Sequence, residues 1–204
     1  MTAAAYDAVA VQYAEFVGEV WDKHPLERAA WTAFADCVRG RGPVADLGCG
    51  PGHLTVHLRS LGLDAFGIDL SPAMIELARA AEPSVRFEVG SMAALELPDA
   101  SLAGILSWYS IIHTPPAQLP GYFAEFARTL ASGGHVLLGC FESGGGPLAE
   151  FDHKVTTAYC WPLDELAGMA AAAGLAEVGR VYREPGADER PLRHGALLLR
   201  KPQP

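Results

Sequence analysis

Apolar positions along this chain fall into two rhythms. Short, nearly continuous apolar runs at Val44–Leu47, 65–68, 85–89, Leu102–Trp108 and 135–141 read as strands buried on both faces. Between them, apolar residues recur at steps of three and four. That spacing predicts helices over 53–61, from Ser71 as N-cap with Pro72 at the first helical position, and over 118–130 and 163–173. Tyr6, Val9, Ala10, Tyr13, Phe16, Val17 and Val20 keep the same helical spacing, and Pro25–Val38 continues it. The first forty residues therefore predict a helical cap ahead of the main fold.

Strand and helix alternate from residue 44 onward, which predicts a mostly parallel sheet with helices on both faces. Two further strands fall at 177–182 and 196–200. Their link, 183–195, is bracketed by Pro185, Gly186, Pro191 and Gly195 and leaves no room for a helix, so the pair is expected to be antiparallel. The segment 143–162 shows no period and reads as a long loop on the substrate side. A single domain spans 1–204: a cap over 1–40, a core over 41–141, and the loop with the closing hairpin over 142–204.

Composition narrows the partners. With 15 Lys and Arg against 24 Asp and Glu, the net charge of −9 weighs against nucleic acid as a ligand. Residues 1–20 carry Asp7, Glu15 and Glu19 and lack a basic start, unlike a signal peptide. No apolar run reaches the roughly 20 residues of a membrane helix. Four cysteines without metal-ligand spacing fit reduced thiols in a cytoplasmic protein and predict no metal site.

The most informative stretch follows the first strand. Gly48, Gly50 and Gly52 alternate in a tight turn before a helix, so a ligand can lie directly on the backbone. A dinucleotide turn of the form GxGxxG requires glycine at 53, where His53 stands; no GxxxxGK run exists for a nucleoside triphosphate. Residues 44–52 (VADLGCGPG) with 66–79 (FGIDLSPAMIELAR) resemble the class I S-adenosylmethionine-dependent methyltransferases. The likeness continues through 87–92 (FEVGSM), 104–113 (GILSWYSIIH) and 130–138 (LASGGHVLL).

That resemblance implies a Rossmann-like sheet of seven strands in the order 3-2-1-4-5-7-6, strand 7 antiparallel, with an N-terminal helical lid. It implies S-adenosyl-L-methionine as cofactor and S-adenosyl-L-homocysteine as product. Gly48, Cys49 and Gly50 would hold the methionine part, with Asp46 near its ammonium. Asp69 would accept from both ribose hydroxyls. Leu70 and Met74 would contact adenine, and Ser91 stands where the family often carries an acidic residue, beside Met92. Ser107 and Trp108 would border the methionine part and the substrate opening, and Tyr13 and Tyr6 would close over them.

Transfer of a methyl group from a sulfonium needs alignment above all, and a base only where the acceptor must lose a proton. His113 is the candidate base, with Tyr109 one helical turn before it; a turn-stabilising histidine ahead of Pro115 is the competing reading. His153 is a weaker candidate, and Trp161 and Phe151 are candidates for an apolar pocket wall. The expected acceptor is a small aromatic or apolar molecule, the expected assembly a monomer or homodimer. A peptide acceptor, or a protein that binds the cofactor without transfer, stand as alternatives.

Overall fold

In the computed structural model, which describes residues 2–20 and 23–203, the elements run α1 (Thr2–Asp7), α2 (Ala10–Val20), α3 (Pro25–Val38), β1 (Val44–Leu47), α4 (His53–Ser60), β2 (Ala65–Asp69), α5 (Pro72–Ala81), β3 (Phe87–Val89) and β4 (Leu102–Trp108). There follow α6 (Leu119–Thr129), β5 (Leu130–Glu142), β6 (Ala149–Asp152), β7 (Thr157–Trp161), α7 (Leu163–Ala172), β8 (Ala176–Arg183) and β9 (Arg193–Arg200).

The main path of the sheet is β3-β2-β1-β4-β5-β9-β8, parallel as far as β5. β9 runs antiparallel to both β5 and β8. This is the expected 3-2-1-4-5-7-6 order, with β9 as the antiparallel seventh strand.

Successive residues of each inner strand point to opposite faces, and both faces are covered. Val44, Leu106 and Leu137 meet Trp31, Phe34 and Val38 of α3 and Leu58 of α4. Ala45, Leu47, Ile105, Val136 and Leu138 meet Phe123 and Phe126 of α6 and Leu166 and Ala170 of α7. Burial on both sides is why these strands read as unbroken apolar runs. Ser71 caps α5 as expected, its hydroxyl accepting from the Met74 amide.

Three expectations are corrected. The first helix is broken at residues 8 and 9, just after Tyr6 and Asp7 at the end of α1, whose side chains bond across the molecule. On the face predicted to be buried, Ala10 is covered but Phe16 is exposed; the side chains of Val17 and Val20 lie outside the described residues.

The segment 143–162 is a hairpin, which brings the strands to nine among the described residues. β5 outruns β4: Trp108 at the end of β4 pairs with Gly139, so the β5 edge beyond it needs another partner. β7 supplies it, through Phe141↔Cys160 and Glu142↔Trp161. The turn into β6 is held by the Glu142 carboxylate, which accepts from the Gly144 amide at 2.7 Å and from Arg193 at 2.5 Å. Finally, Trp161 is fully buried in the core and is not among the residues that line the cleft described below.

Candidate active site

At the carboxyl ends of β1, β2 and β4 lies a cleft of about 260 Å³, just below the roughly 300–1,000 Å³ typical of small-ligand pockets. Its floor is the glycine turn. The Gly48 amide donates to the Ile68 carbonyl at 2.7 Å, and φ of +74° places Gly48 where a side chain is strained. A Cβ there would also sit 2.3 Å from the Cβ of Ser110. Gly50, by contrast, faces open space up to the ring of Tyr13.

Asp69 ends β2 and forms one wall. One carboxylate oxygen accepts from the Gly50 amide and the other from the Ser71 amide, both at 2.8 Å. Each oxygen keeps a lone pair for the cleft. Burial pushes the Asp69 carboxyl up in pKa, against the pull of these amides. No lysine or arginine is among the described residues that line the cleft. An acidic wall without a protein cation, over a floor open to the backbone, fits a ligand that brings vicinal hydroxyls and positive charge.

Of the expected cofactor residues, Tyr13, Gly48, Gly50, Asp69, Leu70, Met74, Ser91, Met92 and Trp108 line this cleft, as do His113 and Tyr109. Asp46, Cys49 and Ser107 do not; they lie buried behind its wall. Asp46 accepts from the Thr55 hydroxyl at 2.6 Å, and burial pushes its carboxyl up to about 7. The Cys49 sulfur packs toward Gly67, leaving only the backbone of the turn for a ligand. Ser107 shares a hydrogen bond of 2.6 Å with Ser110. Ser91 spends its hydroxyl on the Ala93 amide at 3.2 Å.

The far end of the cleft is closed from above by α1, which is tied to both banks. Asp7 accepts from the Ser71 hydroxyl at 2.5 Å and from the Ala73 amide at 3.2 Å, at the start of α5. Tyr6 reaches the other bank, its hydroxyl 2.9 Å from Nε2 of His113, and its ring meets Tyr13 edge to face.

His113 is oriented by the hairpin. Its Nδ1 lies 2.8 Å from the Thr157 carbonyl, which can only accept, so Nδ1 carries the proton. Nε2 is therefore a bare acceptor, and the Tyr6 hydroxyl donates to it. Burial lowers the His113 pKa and keeps the ring neutral. The β7 strand is fastened alongside by the Tyr159 amide on the Ile112 carbonyl at 2.8 Å. His153 stacks edge to face on His113, at 5.0 Å between centroids, but lines no part of the cleft. Phe151 packs on Phe141.

Tyr109 departs from expectation. Residues 109–115 form an irregular turn, with Tyr109 at φ +52°, so no helical turn aligns it with His113. Its hydroxyl bonds to His194 in a polar cluster with Arg183, Glu189 and Glu27. The ring lines the cleft while the hydroxyl is spent elsewhere. Spacing did not disclose the role of Thr157, because its contribution is a backbone carbonyl, nor the cleft-lining Gln118 and Tyr122, which lie on and before α6.

Comparison with known proteins agrees with this geometry. Residues 44–134 match the family described as "Methyltransferase domain". An uncharacterized methyltransferase of Mycobacterium tuberculosis is 33% identical over 116 residues, 55% of this chain and 44% of that protein. The trans-aconitate 2-methyltransferase of Rhizobium meliloti is 44% identical over 86 residues, 41% of this chain and 26% of the relative. The chain thus spans about half the length of the first curated relatives it matches, or less. Among solved structures, Burkholderia thailandensis 1,6-didemethyltoxoflavin-N1-methyltransferase superposes with a TM-score of 0.76 at 24% identity, covering 98% of this chain and 89% of that one. The shared fold extends well beyond the matched sequence.

Proposed function

We propose that the chain is a class I S-adenosylmethionine-dependent methyltransferase and that it methylates a small, aromatic or apolar acceptor, with His113 taking the acceptor's proton; the match of residues 44–134 to a methyltransferase domain and the shared fold support this reading. The observation that carries this reading is the bare Nε2 of His113, fixed by the Thr157 carbonyl at the end of the cleft beyond Asp69.

S-adenosylmethionine bound in the cleft supplies a methyl group already activated on a sulfonium. Asp69 takes the ribose hydroxyls on its two free lone pairs, and Leu70, Met74 and Met92 give adenine an apolar seat. The backbone at Gly48 and Gly50 receives the methionine part, with the Asp46 carboxyl behind it. Trp108, Tyr6 and Tyr13 line the space left for the acceptor and keep water out.

An entering O–H or N–H replaces the Tyr6 hydroxyl at Nε2. Its proton would then move to that nitrogen as the electron pair it leaves behind forms the bond to the methyl carbon, the methyl–sulfur bond breaking with its pair kept by sulfur as a neutral thioether, so that His113 would end as imidazolium. The role of Thr157 is to hold the ring in the tautomer that can accept.

The test is a pair of measurements on His113→Ala and His113→Gln, with labelled methyl transfer to a panel of hydroxylated and N–H heteroaromatics. Turnover should drop about 10²-fold or more while S-adenosylhomocysteine affinity stays within about threefold. Unchanged turnover would leave His113 only a structural part in the turn.

A further inference from the structure

The methyl-transfer reading leaves open which acceptors the cleft admits, and its acceptor end is built without charge. Besides Asp69, the residues that line the cleft include Tyr6, Trp108, Tyr109, Tyr122, Gln118 and the neutral ring of His113. Resting on that reading, we infer that the acceptor is a neutral, planar molecule with a proton-donating O–H or N–H, and that carboxylates are excluded.

Three observations converge. First, the polar group fixed at this end, Nε2 of His113, is a bare acceptor that now takes a hydroxyl proton from Tyr6 at 2.9 Å, so it is matched to another donor. A carboxylate offers it only lone pairs.

Second, the described lining holds no lysine or arginine, and its one ionisable carboxyl, Asp69, repels an anion. The nearby cations stand outside the lining. The Arg190 guanidinium donates to the Asp152 carbonyl at 2.8 Å and lies over Phe151, and neither it nor Lys154 lines the cleft. A carboxylate would be desolvated without a cationic partner.

Third, Tyr6, Tyr13, Trp108 and Tyr109 give the cleft flat aromatic walls, which suit a planar ring. The R. meliloti relative is named for trans-aconitate, a tricarboxylate, yet it matches only 41% of this chain. Kinship across that share does not carry the acceptor with it.

The experiment loads the protein with sinefungin, an S-adenosylmethionine analogue with an ammonium in place of the methylsulfonium, so that the charge of the filled cleft is preserved. Calorimetry then compares 4-hydroxyquinoline with quinoline-4-carboxylate, in the native protein and in Gln118→Lys, which adds a cation at the exposed rim. The neutral probe should bind at least about tenfold tighter than the carboxylate, and Gln118→Lys should narrow or reverse that ratio. A carboxylate that binds the native protein as tightly, a ratio untouched by Gln118→Lys, or sinefungin binding without binding of the neutral probe would each overturn the inference. Failure to bind sinefungin at all would instead overturn the methyl-transfer reading beneath it.

Discussion

Replacing Asp69 by alanine separates ligand recognition from folding at a single side chain. In the folded protein its oxygens accept from the Gly50 and Ser71 amides, each at 2.8 Å, and each keeps one lone pair for the cleft. If both lone pairs take a ribose hydroxyl, two hydrogen bonds to a charged group are lost, at about 1.5–3 kcal/mol each. The sum, about 3–6 kcal/mol, predicts an S-adenosylhomocysteine Kd raised about 10²- to 10⁴-fold.

The loss to the unliganded fold should be smaller. Two amides lose an acceptor, at about 1–3 kcal/mol each if water cannot reach them, but removing a carboxylate that burial disfavours offsets part of it. The assay is calorimetry with S-adenosylhomocysteine, together with thermal unfolding with and without ligand. At a ligand concentration of 100 times the native Kd, the native protein gains about 2.7 kcal/mol and the variant close to nothing. A variant that keeps that protection, with Kd changed less than about threefold, would refute the placement of the ribose on Asp69.

Three shorter predictions accompany it. Asp46, pushed up to about 7 by burial, is mostly protonated at pH 6 and ionises on going to pH 7.5. A ligand carrying an ammonium favours the ionised form, so S-adenosylhomocysteine affinity should rise with pH across that window, by up to about eightfold, and Asp46→Asn should flatten the rise; a flat native profile by calorimetry would sink the idea. Gly48→Ala places a Cβ 2.3 Å from that of Ser110 at a φ of +74°, and should lower unfolding stability by about 2–5 kcal/mol in urea; a loss below about 1 kcal/mol would show that the turn yields. Tyr6→Phe removes the donor that stabilises neutral His113, so the His113 midpoint, which burial lowers, should rise by about half to one pH unit in a histidine NMR titration. Nδ1 should stay protonated in that variant, because its partner is the Thr157 carbonyl.

Much of this protein is legible without its coordinates, because the signals are local. Val44–Leu47 and Leu102–Trp108 are buried on both faces and show it by uninterrupted apolarity. Ser71 and Pro72 mark the start of α5 by side-chain chemistry that acts within four residues. The glycine turn, His53 and Asp69 sit at spacings that one strand, one turn and the next strand impose.

What was not legible depends on neighbours distant in sequence. The β6–β7 hairpin has no alternation to announce it, since β6 is largely exposed, and it forms against the β5 edge that β4 leaves unpaired. Tyr109 has the right spacing to stand beside His113, yet the irregular turn and His194, 85 residues away, take its hydroxyl. Asp46 and Ser107 lie in the right strands but behind the wall, because a strand alternates its side chains and only the backbone at its end reaches the cleft.

Local pattern alone thus determined the alternation of strands and helices, the backbone cradle and the carboxylate at the end of β2, all set by residues close in the chain; the strand order followed only from the resemblance to a known family. Tertiary structure alone decided which nitrogen of His113 is bare, since that hangs on a carbonyl 44 residues later and a tyrosine 107 residues earlier. A proton on a ring nitrogen is assigned by its partners in space, and those partners meet only once the sheet has closed around them.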